Sequence, residues 1–145
     1  MGKTFLPPSS IRLMNNYDLL AGEYYDPIRH PVCALFRQAS YQLLQQALPA
    51  NIESSVEVGA GDSILAQLLH ARGSSLQHTA ITDLSAGMLA SSLHWEDLGA
   101  KCQICAAESL PLADSSVEFL AASLGDSYNR PAFWNETSRV LKSGG

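Results

Sequence analysis

The chain has 145 residues, 46% of them hydrophobic and 16% charged, which is typical of one compact domain and excludes a disordered chain. Its net charge is −5 and its Lys and Arg residues are scattered, so the basic stripe of a nucleic-acid binder is missing. The sequence has no apolar run of the length that a signal peptide or a membrane span needs, and three cysteines, an odd number, are typical of reduced thiols, so we predict a cytoplasmic protein.

The first 50 residues are predicted to form a loose arm followed by two helices. Residues 1–10 are rich in Pro and Ser, and a helical pattern over residues 17–25 is broken by Asp26-Pro27. A second helix is predicted from His30-Pro31 to about Leu48. It carries an apolar stripe, formed by Val32, Leu35, Phe36, Ala39, Leu43, Leu44 and Leu48.

Residues 51–145 alternate between strand and helix patterns and are predicted to form the core. The predicted strands are residues 54–58, 79–82, 101–105 and 117–123, and the predicted helices are 63–71, 85–98 and 131–141. Ser85 is predicted as an N-cap, and Gly73 and Gly99 as helix stops. This alternation predicts an α/β fold in which right-handed crossovers build a parallel sheet with flanking helices.

A glycine turn follows the first predicted strand, in the run Val56-Glu57-Val58-Gly59-Ala60-Gly61-Asp62-Ser63. Glycines there let a ligand approach the backbone, and the N–H groups of the following helix favour an anionic ligand group. The same G-x-G pattern also occurs in ordinary strand–helix connections, so the turn alone leaves both interpretations open.

Asp83 strengthens the binding interpretation. It lies 22 positions after Gly61, at the end of the second predicted strand, where an acidic side chain can hold the ribose hydroxyls of an adenosine-containing cofactor. A nicotinamide-dependent oxidoreductase would need glycine or alanine at the position of Ile64, which argues against that class.

Five segments stand out in chain order over residues 17–145: Ala21-x-x-Tyr24-Tyr25-Asp26, Glu57-x-Gly59-x-Gly61, Asp83-Leu84-Ser85-x-x-Met88-Leu89, residues 107–118 (AESLPLADSSVE) and residues 136–145 (ETSRVLKSGG). Together they resemble the motifs of class I, Rossmann-like S-adenosylmethionine-dependent methyltransferases, in particular the ubiquinone/menaquinone-biosynthesis type (methyltransferase type 11). The resemblance implies S-adenosyl-L-methionine as cofactor, S-adenosyl-L-homocysteine as product, and a domain in which residues 51–145 bind the cofactor.

The resemblance also implies roles for individual residues. Glu57 supports the turn and the cofactor's amino group, while Gly59, Ala60 and Gly61 face its methionine moiety. The remaining implied cofactor-binding residues are Asp83 at the ribose, Leu84 and Met88 on either side of the adenine, Ala106, Ala107 and Glu108 at the adenine edge, Ser123, and Tyr25 covering the cofactor from the N-terminal side. Met88 fits a core position equally well.

Three positions depart from the family pattern. Ser63 replaces the third glycine of the first motif, and Ala106 stands where an acidic residue often binds the adenine amino group. The element that reads Ser-Phe-Asp in the family reads Ser116-Val117-Glu118 here. Ala106 therefore predicts a weaker hold on the adenine.

The resemblance further implies a fifth strand and an antiparallel hairpin beyond Gly145, so we expect the C-terminal strands of the fold to be missing. The fourth strand would then be a bare apolar edge, which recruits partners. We therefore hypothesise pairing at that edge, with another copy of the chain or with a separate polypeptide.

The sequence says least about the methyl acceptor and about the residue that removes its proton. Asp126, Tyr128 and Asn129 follow the fourth predicted strand, and Asp126 or Tyr128 is a candidate general base, although turn chemistry favours an ordinary polar loop there. A small-molecule acceptor is expected. The alternative is a non-catalytic module that keeps the cofactor fold and acts as an interaction partner.

No metal site is expected in this sequence. Cys102 and Cys105 have CxxC spacing, but in a strand their side chains point to opposite faces, and no second pair or nearby histidine completes a ligand set. The four histidines fall on different predicted elements.

Overall fold

The structure is a computed structural model that describes residues 16–123 and 130–145. Its helices are a helical turn at residues 16–20, α1 (Pro31–Ala47), α2 (Ile64–Ala71), the short α3 (Ala86–Leu89), a 3-10 helix (Ala90–Leu98) and α4 (Pro131–Val140). Its strands are β1 (Ser55–Val58), β2 (Thr79–Asp83), β3 (Lys101–Ile104) and β4 (Phe119–Ala122). None of the helices in the described ranges has the length and apolar character that a bilayer crossing requires.

The four strands form one parallel sheet in the order β3-β2-β1-β4. β1 and β2 lie at its centre, where nearly all of their residues are buried on both faces, as expected for a parallel sheet covered by helices. The α/β, Rossmann-like prediction is confirmed. The carboxyl ends of β1 and β2 therefore lie side by side, which places the segment after Val58 next to the segment after Asp83.

Two apolar clusters cover the two faces of the sheet. The first packs α2 and Trp95 of the 3-10 helix against Ile81 and Ala121. The second packs Phe133 and Val140 of α4 against Val56, Val58, Ala80, Leu110 and Val117. Burial of these side chains is the main source of stability, at about 25 cal/mol per Å² of apolar surface.

The helix predicted over residues 85–98 is divided in the structure. Ser85 is the N-cap, because its Oγ accepts the Met88 amide hydrogen at 3.1 Å, and Gly99 ends the segment at φ 97°. Only Ala86–Leu89 is α-helical, and the next nine residues form the 3-10 helix. Ser92, inside that helix, bonds both Gly61 O and Ser63 N, so tertiary contacts fix the backbone there rather than local propensity.

The N-terminal helices differ from expectation in two ways. The first ends at residue 20 and is followed by turns rather than reaching Tyr25. Of the second helix, α1, the structure places Tyr41 and Leu44 against the first apolar cluster, and Leu48, directly after the helix, inside it. Its predicted apolar stripe is therefore largely exposed at Val32, Leu35, Phe36 and Leu43.

The exposed side of α1 and strand β4 border an open groove of about 710 Å³. Two residues before β4, Val117 forms a single parallel bridge with Leu141, and the Lys142 amide donates to Val117 O at 2.8 Å. Apart from that bridge, no strand follows β4 in residues 130–145. Pairing at the β4 edge stays a prediction, and a monodisperse monomer in light scattering would contradict it.

Candidate functional site

The turn between β1 and α2 depends on two glycines. Gly59 and Gly61 have φ angles of 59° and 49°, a left-handed conformation that side chains disfavour. Ala60 between them is buried, and its amide donates to Thr82 O at 2.9 Å. A Cβ on Gly61 would collide with the Tyr25 hydroxyl and lie 3.0 Å from Met88 Cε. Glycine is therefore required at position 61 for both conformation and space.

Glu57 lies beneath this turn and is completely buried on the α2 side of β1. Its Oε2 accepts hydrogen bonds from the Ser63 hydroxyl and from the Leu65 amide, the latter at 3.0 Å. Its Oε1 lies 3.5 Å from Ser123 Oγ, at the end of β4. Burial raises the pKa of Glu57 to about 7, although the hydrogen bonds from Ser63 and from the start of α2 oppose the shift.

The first turn of α2 was expected to offer unpaired N–H groups to an anionic ligand, and this expectation is wrong. The Leu65 amide donates to Glu57, and the Ala66 amide donates to Ser63 Oγ at 3.0 Å. The Ser63 amide donates to Ser92 Oγ at 2.8 Å. Because the protein's own side chains satisfy these donors, an anionic group at this turn needs another partner.

Asp83 joins the ends of β1 and β2. Its Oδ2 accepts the Gly61 amide hydrogen at 2.8 Å, and its Oδ1 accepts that of Ser85, also at 2.8 Å. Partial burial raises its pKa against the opposing effect of these hydrogen bonds. A carboxylate has about four lone-pair positions, so the amides of Gly61, Ser85 and Leu84 leave capacity for a further donor.

Leu84 and Met88 flank this carboxylate along the chain. Leu84 is half-buried, whereas Met88 is 6% exposed and reaches the Gly61 turn through its terminal methyl. This position of Met88 agrees both with packing in the core and with contact to a ligand at the glycine turn.

Residues 106–108 follow β3 and lie near the end of β2, because the Cys105 amide donates to Asp83 O at 3.0 Å. Ala106, Ala107 and Glu108 are all half-buried. Glu108 Oε1 accepts from Arg130 Nη1 at 2.9 Å, which ties this segment to the start of α4.

Arg139 on α4 fixes the rest of the segment that leads to β4. Its guanidinium donates to the carbonyl oxygens of Leu110 and Leu112 and to the carboxylates of Asp114 and Glu136. Glu136 in turn accepts the Leu110 amide hydrogen at 2.6 Å.

The N-terminal region adds residues that sequence reasoning missed. Arg37 of α1 lies 4.4 Å from the centre of the Tyr25 ring and donates to Asp62 O at 2.7 Å and to Asp62 Oδ2 at 2.8 Å. Burial raises the pKa of Tyr25, and the nearby Arg37 charge opposes that shift. Tyr25, Arg37 and Asp62 thus form one cluster beside the glycine turn.

Asp18 makes the second unexpected contact. Its Oδ1 accepts hydrogen bonds from the Ser85 hydroxyl and from the Gly87 amide, the latter at 2.9 Å. Nothing local in the sequence indicates these pairings, which join residues more than 65 positions apart.

The structure thus brings together Tyr25, the Gly59–Gly61 turn, Asp83 and Met88, with residues 106–108 beside Asp83 and Ser123 beside Glu57. Asp126, Tyr128 and Asn129 lie outside the described residues. The described part of the chain contains no group of three or more His, Cys, Asp or Glu side chains that would hold a metal ion. Cys102 and Cys105 pack against opposite faces of the sheet, and all three cysteines are free.

The sequence from residue 56 to residue 145 matches a family profile described as "Methyltransferase domain". A search of curated proteins returned no match.

Several solved structures share the fold. Phosphoethanolamine N-methyltransferase 1 of Haemonchus contortus, crystallised with phosphoethanolamine and S-adenosylhomocysteine, aligns over 92% of this chain and 29% of its own, with 15% identity and a TM-score of 0.68. A putative S-adenosyl-L-methionine-dependent methyltransferase of Methanococcus maripaludis aligns over 100% of this chain and 64% of its own (16% identity, TM-score 0.60).

A third such structure is geranyl diphosphate C-methyltransferase of Streptomyces coelicolor A3(2), in complex with Mg²⁺, geranyl diphosphate and S-adenosyl-L-homocysteine. It aligns over 75% of this chain and 44% of its own, with 19% identity and a TM-score of 0.58. The chain thus spans less than two thirds of the length of each of these three proteins.

Proposed function

The chain belongs to the methyltransferase-domain family, and from that premise we propose that it binds S-adenosylmethionine and transfers its methyl group to a small-molecule acceptor. The observation that carries this proposal is the position of Asp83, whose carboxylate bonds Gly61 at the glycine turn and Ser85 at the start of α3. A ligand held there lies across the carboxyl ends of β1 and β2, which is where open α/β sheets bind their ligands.

The adenosine half is assigned to the β2 side of the site. Beyond its backbone partners the Asp83 carboxylate keeps lone-pair capacity, which is proposed to accept from the ribose hydroxyls. Leu84 and Met88 are proposed to hold the adenine between them, and the segment Ala106–Glu108 to border its edge. Ala106 offers no side-chain acceptor to the adenine amino group, so the affinity depends more strongly on Asp83.

The methionine half is assigned to the β1 side, at Gly59, Ala60 and Gly61. The cofactor's ammonium group is proposed to lie near Glu57, whose Oε1, beside Ser123, is the less engaged oxygen. For the cofactor's carboxylate we propose Arg37, since the first turn of α2 has its N–H groups already paired and this guanidinium lies at Asp62, next to the turn. A guanidinium has five N–H donors, so Arg37 keeps three for a carboxylate while Asp62 takes two.

The cofactor supplies a methyl group that is already activated by its sulfonium charge. The task of the protein is therefore to hold donor and acceptor in line and to exclude water. An acceptor hydroxyl or amine also needs a base to remove its proton. Asp126 and Tyr128 remain the proposed candidates on sequence grounds.

A small acceptor is supported by two observations. Two of the structures with the same fold bind small molecules, phosphoethanolamine and geranyl diphosphate. The net charge of −5 disfavours nucleic acid. Reduced cysteines support a cytoplasmic location, which stays a prediction.

The proposal is tested by measuring S-adenosylhomocysteine formation from S-adenosylmethionine. The acceptor panel contains small amines, phenols and prenyl diphosphates, with oligonucleotides as the contrasting class. Turnover with a small molecule supports the proposal, and turnover with oligonucleotides alone contradicts it. Cofactor binding without turnover on any acceptor would favour the alternative, a non-catalytic module that keeps the methyltransferase fold.

A further inference from the structure

Residues 16–25, which we call the N-terminal strap, contact the proposed cofactor site at two points. At one point Asp18 accepts hydrogen bonds from Ser85 and Gly87, and at the other the Tyr25 hydroxyl lies against Gly61. Asp83 is bonded to both Ser85 and Gly61. The strap therefore extends from one backbone partner of Asp83 to the other.

The contact at Asp18 is steric as well as polar. A Cβ on Gly87 would lie 3.0 Å from Asp18 Cα, 3.1 Å from its Oδ1 and 3.2 Å from its carbonyl oxygen. The backbone of the strap thus rests directly on Gly87. A methyl group at position 87 would require the strap backbone to shift by a few tenths of an ångström, while every hydrogen-bonding side chain remained in place.

Three tyrosine rings link the two contact points. Tyr17 and Tyr24 have ring centres 5.7 Å apart, and Tyr24 and Tyr25 have ring centres 5.1 Å apart, both in edge-to-face arrangements. Such pairs contribute about 0.5–1.5 kcal/mol each. The rings connect Tyr17, next to Asp18, to Tyr25 at Gly61, and so join the two contact points of the strap.

Asp18 itself is exposed, so its two hydrogen bonds compete with water and can open and close readily. We propose that Asp18 is a positioning residue that latches the N-terminal strap over the bound cofactor and so limits the rate at which the cofactor leaves. This inference rests on the proposed function, because it requires that Asp83 hold an adenosine-containing ligand.

The test compares S-adenosylhomocysteine dissociation rates, measured by stopped-flow displacement, in four variants of the full chain. Asp18→Ala removes both hydrogen bonds, and Asp18→Asn keeps an acceptor oxygen. Gly87→Ala displaces the strap sterically, while Gly22→Ala adds the same methyl group to the strap where nothing lies within 4 Å. Hydrogen exchange of the backbone amides of residues 16–25, measured without ligand, shows whether Asp18 holds the strap in place, independently of ligand binding.

We expect Asp18→Ala and Gly87→Ala to speed dissociation roughly three- to tenfold, the range that one or two exposed hydrogen bonds sustain. Asp18→Asn should recover most of the wild-type rate, and Gly22→Ala should match it. In Asp18→Ala and Gly87→Ala, the backbone amides of residues 16–25 should exchange their hydrogens faster than in the wild-type chain.

Faster exchange with unchanged dissociation rates would overturn the inference, as would equal effects of Gly87→Ala and Gly22→Ala. Failure of the wild-type chain to bind S-adenosylhomocysteine would instead overturn the proposed function, and the inference with it.

Discussion

Asp83 Oδ2 accepts the amide hydrogen of Gly61 at 2.8 Å, so the carboxylate that ends β2 also fixes the glycine turn that follows β1. The turn needs this anchor because Gly61 adopts a left-handed conformation, with Tyr25 and Met88 packed against its α-carbon. The Asp83 side chain thus holds the turn together with the contacts from Thr82 and Ser92.

Asp83→Asn should weaken S-adenosylhomocysteine binding by roughly tenfold or more, because hydrogen bonds to a charged acceptor are stronger than those to an amide. The amide oxygen still accepts a backbone hydrogen bond, so the fold should persist, as judged by circular dichroism. The affinity is measured by calorimetry, with Asp97→Asn, an exposed position in the 3-10 helix, as the charge-matched control. Equal affinities of the two variants would contradict the role of Asp83.

Gly61→Ala should lower the free energy of unfolding by about 1–2 kcal/mol from the left-handed φ alone, with a further loss from the collision with Tyr25. Urea denaturation of the wild type and the variant measures the sum of these two losses in the free energy of unfolding. In a Tyr25→Phe background the collision with the hydroxyl is removed, so the same substitution should cost less there. An identical cost in both backgrounds would show that Tyr25 does not press on the turn.

Glu57→Gln should change how stability depends on pH. The folded-state pKa of Glu57, about 7, is raised from the ordinary value of 4.5, so the folded protein binds more protons than the unfolded chain between these values. Stability therefore falls as pH rises from about 4.5 to 7, by about 3 kcal/mol from this group.

Glutamine is neutral at every pH, so the variant should lack that part of the decline. Urea denaturation between pH 5 and pH 8 compares the two proteins. If the plots of unfolding free energy against pH run parallel for the two proteins, the Glu57 carboxyl is not held protonated by burial.

Arg37→Ala should weaken binding of S-adenosylhomocysteine roughly tenfold but leave binding of 5′-methylthioadenosine unchanged, because the second ligand lacks the amino-acid moiety that Arg37 is proposed to hold. Calorimetry with both ligands measures the difference, and the second ligand is the control for any damage to the adenosine half. Equal loss for both ligands would mean that Arg37 acts only by holding Tyr25 and Asp62.

The features predicted correctly are those that neighbouring residues encode. Ser85 caps its helix through its own hydroxyl, and Gly99 ends the following segment because it adopts a left-handed conformation. The periodicity of the apolar residues likewise predicted each strand of the sheet. The parallel orientation of the strands followed from their alternation with helices.

The features that the sequence did not reveal depend on partners far along the chain. The N–H groups at the start of α2 were expected to be free, but Glu57 and Ser92 take them once β1 and the 3-10 helix are packed beside the turn. Asp18 and Arg37 reach the site from elements whose local sequence carries no sign of it. The apolar side chains along α1 were expected to be buried, but most of them are exposed.

The most direct test of the account is calorimetric titration of the purified chain with S-adenosylmethionine and S-adenosylhomocysteine, with NAD as the control ligand. We predict micromolar binding of both adenosyl compounds and none of NAD, since Ile64 and the paired N–H groups of α2 leave no site for a pyrophosphate. A folded chain that binds neither adenosyl compound, or that prefers NAD, would contradict the assignment of a cofactor site at Asp83.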